Sequence, residues 1–279
     1  MSARNDYLES LFGLSRSVAV VTGGGGALMG AIGQALGRLE VKVAVLDLVL
    51  EAAQNVVDKI VAAGGEAAAV KCDVLDRTSV EASCKSVLER YGRVDFLING
   101  AGGNKKEATT SPDLTFFDLP PDGVQAVFNL NLIGTLLPSQ VFGRIMAERG
   151  EGVILNISSM NALRPLTRIP AYSAAKAAVS NFTQWLAVHL SQQYSKKIRV
   201  NAIAPGFFLT EQNRFLLADE ETGTLTPRGK TVVDHTPMGR FGDPEDLIST
   251  VVWLLSPGAT FVHGVVVPVD GGFSAFSGV

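Results

Sequence analysis

The chain has 279 residues, 47% of them hydrophobic, enough to bury a full core in one large domain. Its 24 Lys+Arg against 27 Asp+Glu leave a net charge of −3, which argues against nucleic acid or an anionic membrane as partner. Cys72 and Cys84 lie in no CxxC or Cys/His cluster, MSARNDYLES has no apolar signal core, and glycines with Thr22, Gln34 and Arg38 interrupt the apolar run 18–39, so the expected setting is a reducing cytoplasm.

In chain order, residues 7–14 read as a short leader with one helical turn. Val18-Ala19-Val20-Val21 is a buried strand, and Thr22-Gly23-Gly24-Gly25-Gly26 is a turn that only glycines tolerate so densely. A helix follows with Ile32, Ala35, Leu36 and Leu39 on one face. A second strand over 41–46 ends at Asp47, and an amphipathic helix runs to about 63, stopped by Gly64-Gly65. A third strand, 67–71, ends at Cys72-Asp73. A helix to residue 90 precedes a fourth strand, 94–98, ending in Asn99-Gly100-Ala101-Gly102. Helix 124–149 then leads to strand 153–157, helix 171–195 to strand 199–203, and helix 244–255 to strand 265–268. Strand–helix alternation implies parallel strands with crossover helices. The expected fold is one α/β domain over 1–279, a Rossmann-type doubly wound parallel sheet with helices on both faces. Residues 207–237, polar and long, break the rhythm and read as a substrate lid or a plain surface excursion.

The residues that carry chemistry cluster at strand ends. A glycine turn between a first strand and its helix lets backbone N–H groups meet a pyrophosphate. Asp47, about 20 residues on, stands where a ribose-binding carboxylate belongs; a helix N-cap is the alternative. It is followed by Leu48 rather than a basic residue, so a 2′-phosphate would be repelled and NAD is favoured over NADP. Asp73, Asn99, and the Pro205-Gly206 pair with Thr210 follow at later strand ends, where ligands of such sheets collect. Tyr172 and Lys176 are four apart at the start of a long helix, hence on one face, and Ser159 lies thirteen residues before Tyr172. A phenol titrates near ~10, and an ammonium one turn away favours the phenolate. The three together can move a proton on or off an alcohol. His189, His235 and His263 have no metal-ligand spacing, and no metal is assigned.

The set TGGGG, Asp47, Cys72-Asp73-Val74, Asn99-Gly100-Ala101-Gly102, Asn131-Leu132-Ile133-Gly134, Ser159, Tyr172-Ser173-Ala174-Ala175-Lys176 and Pro205-Gly206 resembles the short-chain dehydrogenase/reductase family over nearly the whole chain. The resemblance implies that Tyr172 is the catalytic acid/base, that Lys176 lowers its pKa and binds the nicotinamide ribose, that Ser159 positions the substrate oxygen, and that Asn131 anchors a water. Ser158 and Asn129 are the less apt neighbours. It implies NAD contacts from Gly23, Gly25, Gly26, Leu28, Met29, Asp47, Asp73, Val74, Asn99, Ala101, Gly102, Tyr172, Lys176, Pro205, Gly206, Phe208 and Thr210. It also implies a homotetramer, built through the helices that carry Phe142, Ile145, Phe182, Trp185 and Leu186. One departure stands out. Ala27 occupies the family's middle-glycine position and Gly30 comes one residue late, as though the turn held an insertion.

Asn99–Asn104, the run SSMNALRPLTRIPAYSAAKAAVSNFTQWLAVH, PGFFLTEQNRFLL and Asp270-Gly271-Gly272-Phe273-Ser274 further resemble the short-chain type of D-mannonate oxidoreductases, also called fructuronate reductases. That resemblance implies a sugar-acid substrate, D-fructuronate/D-mannonate. Such a substrate needs a cation for its carboxylate and amides or hydroxyls for its hydroxyls. Asn104, Asn161, Arg164, Arg168 and Arg214, with Gln212 and Asn213, flank the pocket segments; the plain alternative is surface arginines and turn asparagines. Other expectations are another sugar or polyol dehydrogenase of the gluconate type, a 3-oxoacyl reductase, or a non-catalytic NAD(H)-sensing protein.

Overall fold

A computed structural model describes residues 3–210, 217–219 and 222–278. Seven strands form one parallel sheet in the order β3-β2-β1-β4-β5-β6-β7. They are β1 Val18–Thr22, β2 Lys42–Asp47, β3 Ala67–Lys71, β4 Phe96–Asn99, β5 Gly152–Ile157, β6 Ile198–Pro205 and β7 Val266–Val269. All five residues of β1 and all eight of β6 are buried, as expected when helices cover both faces of a parallel sheet. One face packs against α2 (Ala27–Arg38), α3 (Leu50–Ala62) and α9 (Ile248–Leu255) through Ile32, Leu36, Val57, Ile60, Val251 and Leu254. The other packs against α4 (Arg77–Tyr91), α6 (Gly134–Arg149) and α7 (Pro170–Gln193) through Val80, Val87, Phe142, Met146, Leu186 and Leu190. The result is the doubly wound Rossmann-type architecture. The order reverses between β1 and β4, and Thr22 pairs with Asn99 there. The two chains leave the sheet in opposite directions at that point, which opens a crevice at the carboxyl ends.

Several elements differ from the sequence expectation. The leader is the ten-residue helix α1 (Ala3–Phe12), resting on the turn Pro257–Ala259. Leu39 caps α2 at 40% exposure rather than joining its buried face. The single helix expected over 124–149 is α5 (Pro121–Phe128), a π turn Asn129–Ile133, and α6. The segment 207–237 is not irregular throughout, because Thr226 caps α8 (Pro227–Asp234) by accepting from Gly229 N at 3.0 Å. The helix expected over 244–255 opens as a 3-10 turn, Pro244–Leu247, under a capping box between Asp243 and Asp246. At the far end of α9, buried Arg199 donates to the carbonyls of Leu254, Leu255 and Ser256 and so caps the helix.

Candidate active site

The cleft at the switch point has a volume of about 540 Å³. One wall is the glycine turn. Gly23 has φ +62°, and a Cβ there would stand 2.8 Å from Ala101 Cα, so both conformation and space demand glycine. Gly24 N donates to Leu46 O at 3.0 Å and Gly26 N to Gly23 O at 3.1 Å, which folds the turn into the start of α2. No side chain caps α2, so the N–H groups of its first turn face the cleft without a helical partner. Met29, where the family has a glycine, lays its thioether against Gly100; a Cβ on Gly100 would collide with it. Gly30 serves helix packing instead, its Cβ position 3.0 Å from Val56 Cγ2.

Asp47 closes this wall. Its Oδ2 accepts from Gly25 N and its Oδ1 from Val49 N, both at 3.0 Å. It caps no helix: the N-cap of α3 is Val49. The floor is the end of β4, where Thr22 Oγ1 accepts from Gly100 N at 3.1 Å and Ala101 N at 3.3 Å. Pro205 and Gly206 reach the cleft from β6, with Gly206 held flat against Asp270 (Cβ position to Asp270 Cα 2.7 Å).

Tyr172, Lys176 and Ser159 meet at the inner end. Pro170 sits in the first turn of α7, where its missing N–H costs nothing. Lys176 is 4% exposed, donates Nζ to Ile157 O at 2.8 Å and lies 5.7 Å from the centroid of the Tyr172 ring. Burial pushes the Lys176 ammonium down to about 8. Burial also pushes the Tyr172 phenol up, and the Ser159 hydroxyl hydrogen-bonded to it offsets part of the rise. One of the three ammonium N–H groups of Lys176 is held by the Ile157 carbonyl. Ser159 is the N-cap of a one-turn helix, Met160–Ala162, and is 6% exposed. Ser158 is structural, its Oγ donating to Lys176 O at 3.1 Å and lying 2.7 Å from Ser180 Oγ.

Asn131 is fully buried in the π turn. Its Nδ2 donates to Gly103 O at 2.7 Å and Val127 O at 2.8 Å, and its Oδ1 accepts from Gly103 N at 3.2 Å. Its two amide N–H groups are thus held by main-chain carbonyls, one at the cleft floor and one in α5.

Of the expected cofactor contacts, Gly23, Gly25, Gly26, Leu28, Met29, Asp47, Ala101, Gly102, Tyr172, Lys176, Pro205 and Gly206 line the cleft together. Asn99 points the other way, because it alternates with its neighbours onto the α6 face. Its Nδ2 donates to Ser139 Oγ and Asn156 Oδ1, both at 2.9 Å. Asp73 turns its Oδ1 to Leu75 N at 2.9 Å, and Val74 is buried against Gly134. Phe208 packs its ring on Gly242 in the core, and Thr210 lies outside the lining. Gly100 and Gly103, glycines that suggest close approach to a ligand, line the cleft too, as does Ser158, whereas Val49, Ala52 and Ile157 line it without having been singled out. Their signal was only proximity to Asp47 and Ser159.

The expected substrate residues scatter. Asn104 is exposed and donates to Thr109 Oγ1 at 2.8 Å. Arg164 Nε holds the carbonyl of Ser274 in the C-terminal segment at 3.0 Å. Arg168, at φ +72°, accepts Thr110 N on its carbonyl at 2.8 Å and lines a separate cavity behind α7. Asn161 turns its amide to Ser159 Oγ. Gln212, Asn213 and Arg214 lie outside the described residues. Among the described residues no group of three His, Cys, Asp or Glu is placed to hold a metal, and no helix is long and apolar enough to cross a membrane.

The family model described as enoyl-(acyl carrier protein) reductase matches residues 28–274. The chain is 48% identical over 275 residues to the uncharacterized oxidoreductase UxuB of Bacillus subtilis, covering 95% of this chain and 98% of that protein. It is 32% identical over 259 residues to 7alpha-hydroxysteroid dehydrogenase of Escherichia coli, covering 93% and 94%. A crystal structure from Haemophilus influenzae, titled "putative D-Mannonate oxidoreductase" with bound NAD, superposes with a TM-score of 0.90 at 46% identity, covering 98% of this chain and 100% of that one. With this sheet order and this placement of Ser159, Tyr172 and Lys176 at the mouth of a glycine turn, the chain belongs to the short-chain dehydrogenase/reductase family of oxidoreductases that act on CH–OH groups.

Proposed function

We propose that the protein is an NAD(H)-dependent oxidoreductase that interconverts a keto-sugar acid and its hydroxy form, D-fructuronate and D-mannonate. The observation that carries the chemistry is the convergence of Ser159, Tyr172 and Lys176 at the inner end of the cleft. The residues present fit a dinucleotide. The uncapped first turn of α2 offers N–H groups to a pyrophosphate, and Gly23, Gly25, Gly26 and Gly206 line the same cleft. Asp47 presents a carboxylate that accepts ribose hydroxyls and repels a 2′-phosphate, the reason for NAD over NADP. When bound, the cofactor supplies the hydride in reduction and accepts it in oxidation. Tyr172 gives its phenolic proton to the substrate oxygen in reduction and takes it back in oxidation. Ser159 holds that oxygen by donating a hydrogen bond. Lys176 keeps an N–H beside the phenol from which the proton is restored. The sugar-acid assignment rests on the solved relative at 46% identity; Arg164, Arg168 and Arg214, with Asn104 and Asn161, are the candidates that the sequence offers for its carboxylate and hydroxyls. We further infer a homotetramer working in a reducing cytoplasm.

The test is a panel of keto acids with NADH, followed by its absorbance. D-fructuronate should be reduced with a higher kcat/KM than a neutral keto-sugar, a steroid ketone or a 3-oxoacyl thioester. Tyr172→Phe should lower kcat by about two to four powers of ten, the range for a lost general acid/base. A steroid or thioester preferred over every sugar acid sinks the substrate reading; near-normal turnover in Tyr172→Phe sinks the chemistry.

A further inference from the structure

Asn161 is placed by the sequence only near the pocket, yet the hydrogen bonds of its N–H groups all go to Ser159. Its main-chain N–H points at Ser159 Oγ over 3.3 Å and its Nδ2 over 3.2 Å. A serine hydroxyl has two acceptor positions and one proton. Asn161 fills both acceptor positions, so the one thing Ser159 has left is its proton to donate. The neighbour that can take it is Tyr172, whose phenol the Ser159 hydroxyl makes more acidic. The opposite arrangement, with Asn161 Oδ1 toward Ser159, would draw the seryl proton back into the protein. Asn161 is 8% exposed, and its Oδ1 has no protein partner. It lines the cavity behind α7 together with Ser173 Oγ, which is also buried without a partner. A residue serving only to fill this space would not need to bury an amide and leave half of it unmatched.

We propose that Asn161 is a positioning residue that fixes the polarity of Ser159, holding the seryl proton toward Tyr172 and the substrate oxygen. The inference rests on the assignment of Ser159 and Tyr172 to proton chemistry. The residue acts through Ser159 and does not itself touch the reacting atoms. Lys176, 5.7 Å from the ring centroid, is the charged group that faces the phenol, and it is left intact by the test.

Two variants decide the matter, each made with and without Ser159→Ala. Asn161→Leu keeps the branched shape and removes the side-chain donor while the main-chain N–H stays; Asn161→Ala removes the shape as well. The kcat of either single variant should fall about 5- to 30-fold, on whichever substrate of the panel is turned over, with KM for NADH unchanged within about twofold. In the Ser159→Ala background neither should cost more than about a further twofold, because the two residues form one unit. The second readout needs no turnover. Tyrosinate absorbance of the cofactor-free protein, taken as the difference from Tyr172→Phe, should show the Tyr172 phenol titrating about half a pH unit higher in Asn161→Leu, and no such change once Ser159 is alanine. Wild-type kcat and titration in Asn161→Leu would reduce Asn161 to a space-filler and overturn the proposal. So would a full additional loss in the Ser159→Ala background. If D-fructuronate is inert and another ketone reacts, the substrate reading fails while this cycle is run on that ketone. If nothing reacts, the titration decides alone.

Discussion

Lys176 is the most expensive side chain in the cleft, an amine 4% exposed with a single carbonyl as its hydrogen-bond partner. Burial brings its ammonium down to about 8, against about 10.4 for a free lysine. Between those values the unfolded chain binds more protons than the folded one, so stability rises with pH across that window. Below about 8 the cost of burying the charge is present in full. The cofactor-free Lys176→Met protein should therefore be more stable than wild type at pH 7, by roughly 2 kcal/mol after the lost hydrogen bond is counted. That margin should close as pH rises toward about 10. Beyond about 10 the phenol of Tyr172, shifted upward, begins to act with the opposite sign, because stability that depends on its proton is lost there. Thermal melts of both proteins at intervals between those limits measure the margin. A margin that does not change with pH would mean that Lys176 does not titrate in that window. The YxxxK spacing was legible as one helix face. The fate of the lysine was not, because it is set by the Ile157 carbonyl at the end of β5, nineteen residues earlier in the chain.

Three elements meet at Gly102: the end of β4, the π turn and α7. A Cβ there would stand 2.7 Å from Asn131 Oδ1 and 3.1 Å from Lys176 Nζ. Neither neighbour yields easily, since Asn131 is held by three hydrogen bonds and Lys176 by the β5 carbonyl. Gly102→Ala should lower kcat about 10- to 100-fold and destabilise by about 1–3 kcal/mol, the cost of overpacking. Steady-state kinetics beside a melt will show whether both fall; unchanged kcat would mean that the floor of the cleft does not set the lysine. The alternation of apolar strands and amphipathic helices was enough to read the sheet and the crevice. The π turn left no mark, because Asn129-Leu130-Asn131-Leu132-Ile133 has an ordinary helical pattern. What opens the ladder is a side chain: Asn131 Nδ2 takes the Val127 carbonyl that its own main-chain N–H would have bonded in an α-helix. In the same way, no periodicity could show that Asn99 would turn to Asn156, since that depends on the register between β4 and β5.

At the scale of the whole molecule, the outer face of α7 is one surface whose apolar side chains a single copy leaves exposed. The apolar bulk of α6 and α7 divides in two. Phe142 and Leu186 are buried against their own sheet, whereas Trp185, Val188 and Tyr194 are each more than half exposed. Phe182, Trp185, His189 and Tyr194 form a continuous aromatic row, with centroids 6.3, 4.7 and 5.9 Å apart. The row borders a cavity of about 830 Å³ between α6 and α7, lined also by Leu136, Arg144 and Leu190. A contiguous apolar strip with a charged rim is unusual on a monomer and suits an isologous contact, in which the same face of a second copy covers it about a two-fold axis. The proposed tetramer would use this face for one of its two-folds. Trp185→Glu places a charge at the centre of the row, where a like charge from the second copy would meet it. In light scattering the wild-type mass should be a multiple of the 29.5 kDa chain, and the variant should shift to a smaller multiple. Tyr172 and Lys176 stand on the same helix as Trp185, so the variant should also melt lower and lose part of its kcat even at saturating NADH. A wild-type protein of 29.5 kDa at micromolar concentration, or a variant of unchanged mass, would remove this face from the assembly.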